Sequence, residues 1–166
     1  MKQFIFISTL LLFVACSSDT KTTTDIPSTE STIDKKKHAV NSALTFINSY
    51  VDNCNKMKES IGVVEWTNSS QWASDHFKTE LKKIIAEANA KDPEMGLGFD
   101  PIFDAQDYPD EGFELDSFDD KTNYIIVRGK NMPDFKLTIK MVNENESWLV
   151  EGCGIINIPN DKRSKR

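Results

Sequence analysis

Cys16 is the residue of this sequence whose surroundings indicate the most definite chemistry. An apolar run over residues 4–14 and the small Ala15 precede it, and a polar stretch follows. The run is much shorter than the roughly 20 apolar residues that cross a bilayer, and it is typical of a signal peptide. We therefore predict that residues 1–15 are removed as a lipoprotein signal and that the Cys16 thiol is lipidated. Acyl chains on one sulfur would then hold the protein on a lipid bilayer.

This signal places the mature chain in the cell envelope, where disulfides persist. We expect the outer membrane of a Gram-negative bacterium, with the protein facing the periplasm or the exterior. Two further cysteines remain there, Cys54 and Cys153. A bridge between them would close a loop of about 100 residues, worth up to roughly 4.7 kcal/mol in the chain-entropy model. The sequence favours this disulfide, and two separate buried thiols are the alternative.

The segment 100–120 is crowded with carboxylates and contains no lysine or arginine. Its spacing does not match a calcium-binding loop of the EF-hand type, so we predict a solvated acidic loop without a metal. A loop that carries a tyrosine and an amide beside carboxylates suits recognition of another molecule. The candidate partner or ligand loop is therefore Asp100, Asp104, Gln106, Asp107 and Tyr108.

No catalytic residue and no cofactor are predicted. The sequence has two histidines: His38 lies at the edge of the predicted domain, and His76 is interpreted as a surface residue. Sequence motifs for phosphate-binding loops, zinc peptidases and serine hydrolases are absent. The aromatic residues either line a small pocket or fill the core, and a domain of this size favours the core. They are Trp66, Trp72, Trp148, Tyr50 and Tyr124.

Composition points to one acidic domain on a polar tether. The net charge is −6, which opposes binding to nucleic acid. Residues 16–37 are rich in serine and threonine and lack aromatic residues, as is typical of a flexible linker. We assign the domain to residues 38–160 and a basic tail to residues 161–166.

The first half of the domain has helical periodicity. The spacing predicts a helix over residues 38–57, with one apolar face formed by Val40, Leu44, Ile47, Val51 and Cys54. The β-branched residues after Gly62 interrupt this pattern. A second helix is predicted over residues 70–90, with an internal cap at Ser74 or Asp75 that would divide it in two.

The second half alternates apolar and polar residues with a period of two. Four such runs begin near residues 113, 124, 135 and 148, and turn-forming residues separate them. Helices followed by strands indicate an α+β fold with helices on one face of an antiparallel meander. Gly152 and Gly154 permit a bend or bulge in the last strand.

Two stretches, LGFDPIFDAQDYP at 97–109 and WLVEGCGIINIP at 148–159, are similar to a family of bacterial lipoproteins. That family is a domain of unknown function in the nuclear transport factor 2-like superfamily. The resemblance covers residues 39–159. It implies a cystatin-like cone in which N-terminal helices pack on a curved four-stranded antiparallel sheet. It brings no catalytic assignment, because a fold alone does not define a function.

These observations favour a membrane-tethered, non-enzymatic binding module that contacts an unidentified protein or small ligand. One alternative is an immunity or inhibitor-like protein, because an acidic surface suits a basic toxin or enzyme. Another is a small-molecule isomerase or hydrolase that uses the interior of the cone.

Overall fold

The computed structural model describes residues 29–164 of the chain. The predicted signal, Cys16 and the first part of the predicted tether lie outside the described residues. The helices are α1 (Thr29–Cys54), α2 (Val63–Ser69) and α3 (Asp75–Lys91), with short 3₁₀ turns at Met57–Glu59 and Asn160–Lys162. The strands are β1 (Phe113–Asp119), β2 (Tyr124–Gly129), β3 (Lys136–Glu144) and β4 (Ser147–Cys153). Within residues 29–164, no helix is long and apolar enough to cross a membrane.

The strands form one antiparallel sheet in the order β1-β2-β3-β4, which confirms the predicted α+β class and meander. Each outer strand contains one extra residue relative to its neighbour. Asp116 is the extra residue in β1, and Glu151 is the extra residue in β4. Such bulges bend a strand and increase its twist, so the bend predicted for the last strand is present.

Helix α1 lies across the sheet and contacts all four strands. Its apolar face buries Ile47 and Val51, as the periodicity predicted. Four phenylalanines fill the space between α1, α3, the loop before β1 and the sheet, and each is at most 1% exposed: Phe46, Phe77, Phe103 and Phe113. The interior between the helix and the sheet is therefore a packed apolar core.

The first helix differs from its prediction at both ends. It begins at Thr29 and ends at Cys54, so residues 29–37, assigned to the tether, are helical. Periodicity could not predict this extension, because residues 33–38 are exposed and add no apolar stripe. Once the buried part of a helix is formed, each added residue gains one hydrogen bond. Lys36 also lies over the Phe118 ring, with Nζ 5.8 Å from its centroid, which holds this part of α1 against β1.

The predicted second helix over residues 70–90 was wrong in its first part. An unpredicted helix, α2, ends at Ser69, residues 70–74 are not helical, and α3 begins at Asp75. Val63 and Val64 open α2 even though β-branched residues are weak helix formers. Both pack against the core, and such packing overrides a propensity of a few tenths of a kcal/mol. The cap was predicted at Ser74 or Asp75, and Ser74 is the N-cap of α3. Its Oγ accepts a hydrogen bond of 3.0 Å from the Phe77 N–H.

The chain after β4 folds back onto the loop that precedes the sheet. The Ile155 N–H donates to the Pro101 carbonyl at 3.0 Å. Gly154 has a φ of +60°, and a Cβ there would lie 2.2 Å from the Pro101 oxygen. Residues 161–164, predicted to be part of a tail, are tied to the domain, because Thr138 donates to the Lys162 carbonyl at 2.8 Å.

We predict that Gly154→Ala destabilises the domain by about 2 kcal/mol or more, because the substitution adds both backbone strain and a collision with a carbonyl. Urea unfolding followed by tryptophan fluorescence measures the change. Gly62→Ala is the control: Gly62 has an ordinary φ of −61°, and a Cβ added there would have no atom within 4 Å. Equal midpoints for the two variants would contradict the close approach at Gly154.

Candidate functional site

The predicted partner loop does not form one exposed surface, because contacts within the protein occupy the carboxylate of Asp100. One Asp100 oxygen, Oδ1, accepts the backbone N–H groups of Ile102 and Phe103 at 2.8 and 2.9 Å. The other, Oδ2, accepts the hydroxyl of Tyr50 from α1. Asp100 therefore caps a turn and joins it to the first helix.

The other members of that loop have separate positions. Gln106 donates to the Gly98 carbonyl at 3.1 Å, and Tyr108 donates to Asn55 Oδ1 at 3.1 Å while its ring stacks on Phe103. Asp104 is partly buried in the left-handed region with a φ of 55°, and Asp107 is exposed. Gln106 and Asp107 are the members that the structure leaves exposed.

The predicted disulfide between Cys54 and Cys153 is not formed. The Cys153 thiol is buried and donates to the Ile102 carbonyl at 3.5 Å. Cys54 ends α1 and has Tyr50 and Asp100 as neighbours. The sequence could give the loop length between the two thiols, but it could not give the separate partners that each thiol has.

Tyr50, Cys54 and Asp100 border an open cavity of about 460 Å³, whose lining mixes apolar residues with polar ones such as Asn53 and Asn89. Burial raises the pKa of Asp100, although the hydrogen bonds from Tyr50 and the turn act in the opposite direction. Burial, with the nearby Asp100 charge, also raises the pKa of Tyr50 and brings that of Cys54 to about 11. The thiol is therefore protonated at neutral pH and is a poor nucleophile. Burial keeps the Tyr50 hydroxyl protonated, and it moves the pKa of Asp100 upwards from its ordinary acidic value, so Asp100 is the titratable group of interest in this cavity.

The remaining carboxylates of the acidic segment are partly paired. Glu114 accepts a hydrogen bond from Arg128 Nε, and Asp116 accepts one from Lys136 Nζ, both at 2.9 Å. Across the described residues, no group of three or more histidine, cysteine or acidic side chains is arranged to hold a metal ion.

His76 is exposed, as predicted, but it has a partner that the sequence did not indicate. Its Nδ1 lies 2.5 Å from Glu151 Oε1, and Ser74 Oγ donates to Glu151 Oε2 at 2.6 Å. Burial by itself raises the pKa of Glu151, but these two hydrogen bonds with the charges of His76 and Lys140 outweigh it and lower that pKa. The carboxylate lies between the serine and the histidine, whereas nucleophilic catalysis requires the histidine between the other two. The cluster therefore caps α3 and joins it to β4.

A groove of about 480 Å³ opens between α1 and the start of β4. One wall is a polar stripe on α1 formed by residues 38, 41, 42 and 45, whose i, i+3, i+4, i+7 spacing places them on one helix face. The other walls contain Trp72 and Trp148, both partly buried. We call this the tryptophan groove; its remaining lining residues are Gln71, Glu146, Ser147 and Leu149.

Backbone pairing fixes the positions of Trp72 and Trp148 in the chain that borders the tryptophan groove. The Val150 N–H donates to the Trp72 carbonyl at 2.7 Å, and the Ser74 N–H donates to the Val150 carbonyl at 3.0 Å. The segment before α3 thus runs parallel to β4, with a bridge between Ala73 and Val150. Trp148 is two residues earlier in β4 and is paired with Asn143 of β3.

The polar side chains of the tryptophan groove have not used their hydrogen-bonding capacity. Among residues 29–164, the structure gives the side chains of Asn41, Ser42, Thr45 and Gln71 no hydrogen-bond partner. Ser42 is only 8% exposed, yet its hydroxyl is not among the polar atoms sealed from solvent. These groups are available to a molecule that enters the groove.

Sequence reasoning missed this groove. It treated the tryptophans as core, whereas Trp66, Trp72 and Trp148 are all partly buried against the core. Trp66 differs from the other two because its ring packs against Phe46 and Tyr50, away from the groove. Sequence reasoning also set aside His38 as a residue at the edge of the domain. The signal that could have found the site is the polar i, i+3, i+4, i+7 stripe on the helix that also carries the apolar face.

Comparison with protein-family models, with curated proteins and with solved structures finds no match to this chain.

The raised pKa of Asp100 gives a pH-dependent contribution to stability. An unfolded aspartate has a pKa of about 3.9, so the native state binds more protons than the unfolded state above that pH. The free energy of unfolding should therefore fall as the pH rises from about 4 towards the native pKa of Asp100. Asp100→Asn keeps an acceptor for the turn and should flatten this slope in urea unfolding between about pH 4 and 7. Asp107→Asn, at an exposed site, is the control, and identical slopes in wild type and Asp100→Asn would contradict the assignment.

Proposed function

We propose that this chain is a lipid-anchored, non-enzymatic binding module of the cell envelope and that its binding site is the tryptophan groove. The observation that carries the proposal is the combination in one concave site of two partly exposed indoles with several polar side chains that lack hydrogen-bond partners in the described part of the chain. Ligand sites typically combine aromatic walls with a few convergent polar groups. The core between α1 and the sheet is filled by apolar side chains, which also favours binding at this edge site.

We further propose that the fold is nuclear transport factor 2-like, as the sequence resemblance implies. Three features support this: the helices precede the strands, α1 crosses a four-stranded meander, and bulges bend both outer strands. Superfamily membership leaves the activity open, because the same fold hosts unrelated functions.

A second candidate function is a small-molecule isomerase or hydrolase that uses the tyrosine–aspartate pair. The contact of Tyr50 with Asp100 at the wall of a 460 Å³ cavity favours it. Both Asp100 oxygens, however, already accept protein hydrogen bonds, and a general base must reach the proton of a substrate. We therefore favour binding at the tryptophan groove over catalysis at the cavity beside Tyr50 and Asp100.

The binding proposal predicts that small ligands perturb two of the three tryptophans. The chain has three tryptophans in all, so ¹⁵N-labelled mature protein gives three indole N–H signals. A fragment library of neutral, cationic and anionic compounds should shift the signals of Trp72 and Trp148. Trp66, which packs against Phe46 and Tyr50 and does not line the groove, is the internal control. Hits that cluster instead on residues around Asp100 would favour the enzyme candidate, and an absence of hits at the groove would contradict the binding site.

The lipid anchor is tested separately through Cys16. Cys16→Ala removes the acceptor thiol, so incorporation of a labelled fatty acid and partition into the detergent phase should both be lost. Ser18→Ala alters a neighbouring polar residue and should retain both properties. Fatty-acid labelling of the Cys16→Ala protein at the wild-type level would contradict lipidation at this position.

A further inference from the structure

We propose that the tryptophan groove binds a neutral saccharide chain. This inference rests on the proposed function, because it names the ligand class of the same site. The groove presents two indoles, a set of amides and hydroxyls without hydrogen-bond partners among residues 29–164, and little net positive charge. Each of these features selects against other classes of ligand.

The indoles suit the apolar face of a sugar ring. An aromatic face carries negative charge density, and C–H groups that point at it are weakly attracted in addition to the gain from apolar burial. Trp72 and Trp148 approach the groove from two different elements. A ring that lies between or along them can therefore bury its C–H groups on a rigid surface.

The polar side chains suit hydroxyl groups. A sugar hydroxyl both donates and accepts, and so do the amides of Asn41 and Gln71 and the hydroxyls of Ser42 and Thr45. Every such group can find a partner in a ligand rich in hydroxyls. A purely apolar ligand would instead take these groups out of water without replacing their hydrogen bonds, which costs free energy.

Charge argues against an anionic ligand. The groove continues into a neighbouring hollow of about 260 Å³ that shares His38, Glu146 and Trp148 with it. That hollow adds Asp34 and Lys35, so two carboxylates accompany one lysine. Carboxylates and phosphates are recognised by arginine or lysine in excess, and this site does not offer that excess.

The length of the site favours a chain of sugars over a single ring. Lining residues on α1 extend from Asp34 to Thr45, which is about 17 Å at 1.5 Å per residue. An extended peptide usually binds by adding a strand to a free sheet edge. At Val150 that edge of β4 is already paired with Trp72 and Ser74, so a saccharide fits this place better than a strand-forming peptide.

The test uses mature full-length protein in a detergent without a sugar headgroup. Neutral tetrasaccharides (cellotetraose, maltotetraose and the N-acetylglucosamine tetramer) are titrated while the three indole signals are followed. At least one should shift Trp72 and Trp148 and leave Trp66 unchanged. Tetragalacturonate tests the anionic class, and an uncharged tetrapeptide tests the peptide class.

Variants separate stacking from hydrogen bonding. Trp148→Ala should weaken binding about tenfold or more, as the loss of a buried aromatic anchor does. Asn41→Ala is at an exposed position and cannot unfold the core, and it should weaken binding several-fold. Ser49→Ala, exposed on the same helix but outside the groove, should bind like wild type.

Failure of this inference and failure of the proposed function have different signatures. If fragments shift Trp72 and Trp148 but none of the neutral tetrasaccharides does, the saccharide class is wrong and the binding site stands. Preferential binding of tetragalacturonate or the tetrapeptide would also overturn the saccharide assignment. If no compound of any class shifts the two signals, both proposals fail.

Discussion

Two backbone hydrogen bonds to one residue in the last strand join the segment between α2 and α3 to the sheet. Val150 donates to the Trp72 carbonyl and accepts from the Ser74 N–H. The segment that connects α2 to α3 is thereby held parallel to β4 and cannot continue as a helix. Three features follow from this pairing: the direction in which α3 leaves the sheet, the cap at its start, and the position of one indole of the tryptophan groove.

Ser74 shows how this connection couples the two halves. Its N–H pairs with the strand, while its Oγ accepts from the Phe77 N–H and donates to Glu151. Glu151 is the extra residue of the β4 bulge, so the bulge turns a carboxylate towards the start of α3. A carboxylate near the first turn of a helix is also favoured by the helix dipole. One serine therefore pairs with the strand, caps the helix and donates to the carboxylate of Glu151. His76 contacts the same carboxylate from the solvent side.

The loop between α3 and β1 is attached to the sheet and α1 in a different way. Asp100 gathers two backbone N–H groups and the Tyr50 hydroxyl, and the turn it forms lies against Gly154 so closely that only a glycine fits. A partly buried carboxylate here is explained by the turn it holds. Cys54 and Cys153 lie on different elements, and each has its own neighbours near this turn: Tyr50 and Asp100 for Cys54, and the Ile102 carbonyl for Cys153.

The sheet was predictable chiefly from β2 and β3, where Ile125, Val127, Leu137 and Ile139 are buried at every second position and a period of two in the sequence records them. The apolar stripe of α1 was predictable for the same reason with a period of 3.6. In β1 only Phe113 is buried, and Leu115 is exposed although the alternation placed it on the same face. What the sequence did not show depends on contacts between distant residues. Val63 and Val64 form a helix because they pack against the core, and Asp100 is partly buried because Tyr50 contacts it. Cys153 contacts the carbonyl of Ile102, which is 51 residues earlier in the chain. Local pattern carries none of this information.

The tryptophan groove depends both on a local sequence pattern and on contacts between residues that are distant in the chain. Its polar stripe on α1 is a local pattern, but exposed polar residues on a helix usually face only water, so the pattern has meaning only beside Trp72 and Trp148. In the groove those polar groups are solvated, and a ligand must replace their water with hydrogen bonds of similar strength. The net gain from such exchanges is small. Affinity must therefore come chiefly from apolar contact with the indoles, and the amides and hydroxyls must determine which ligand is accepted and in which orientation.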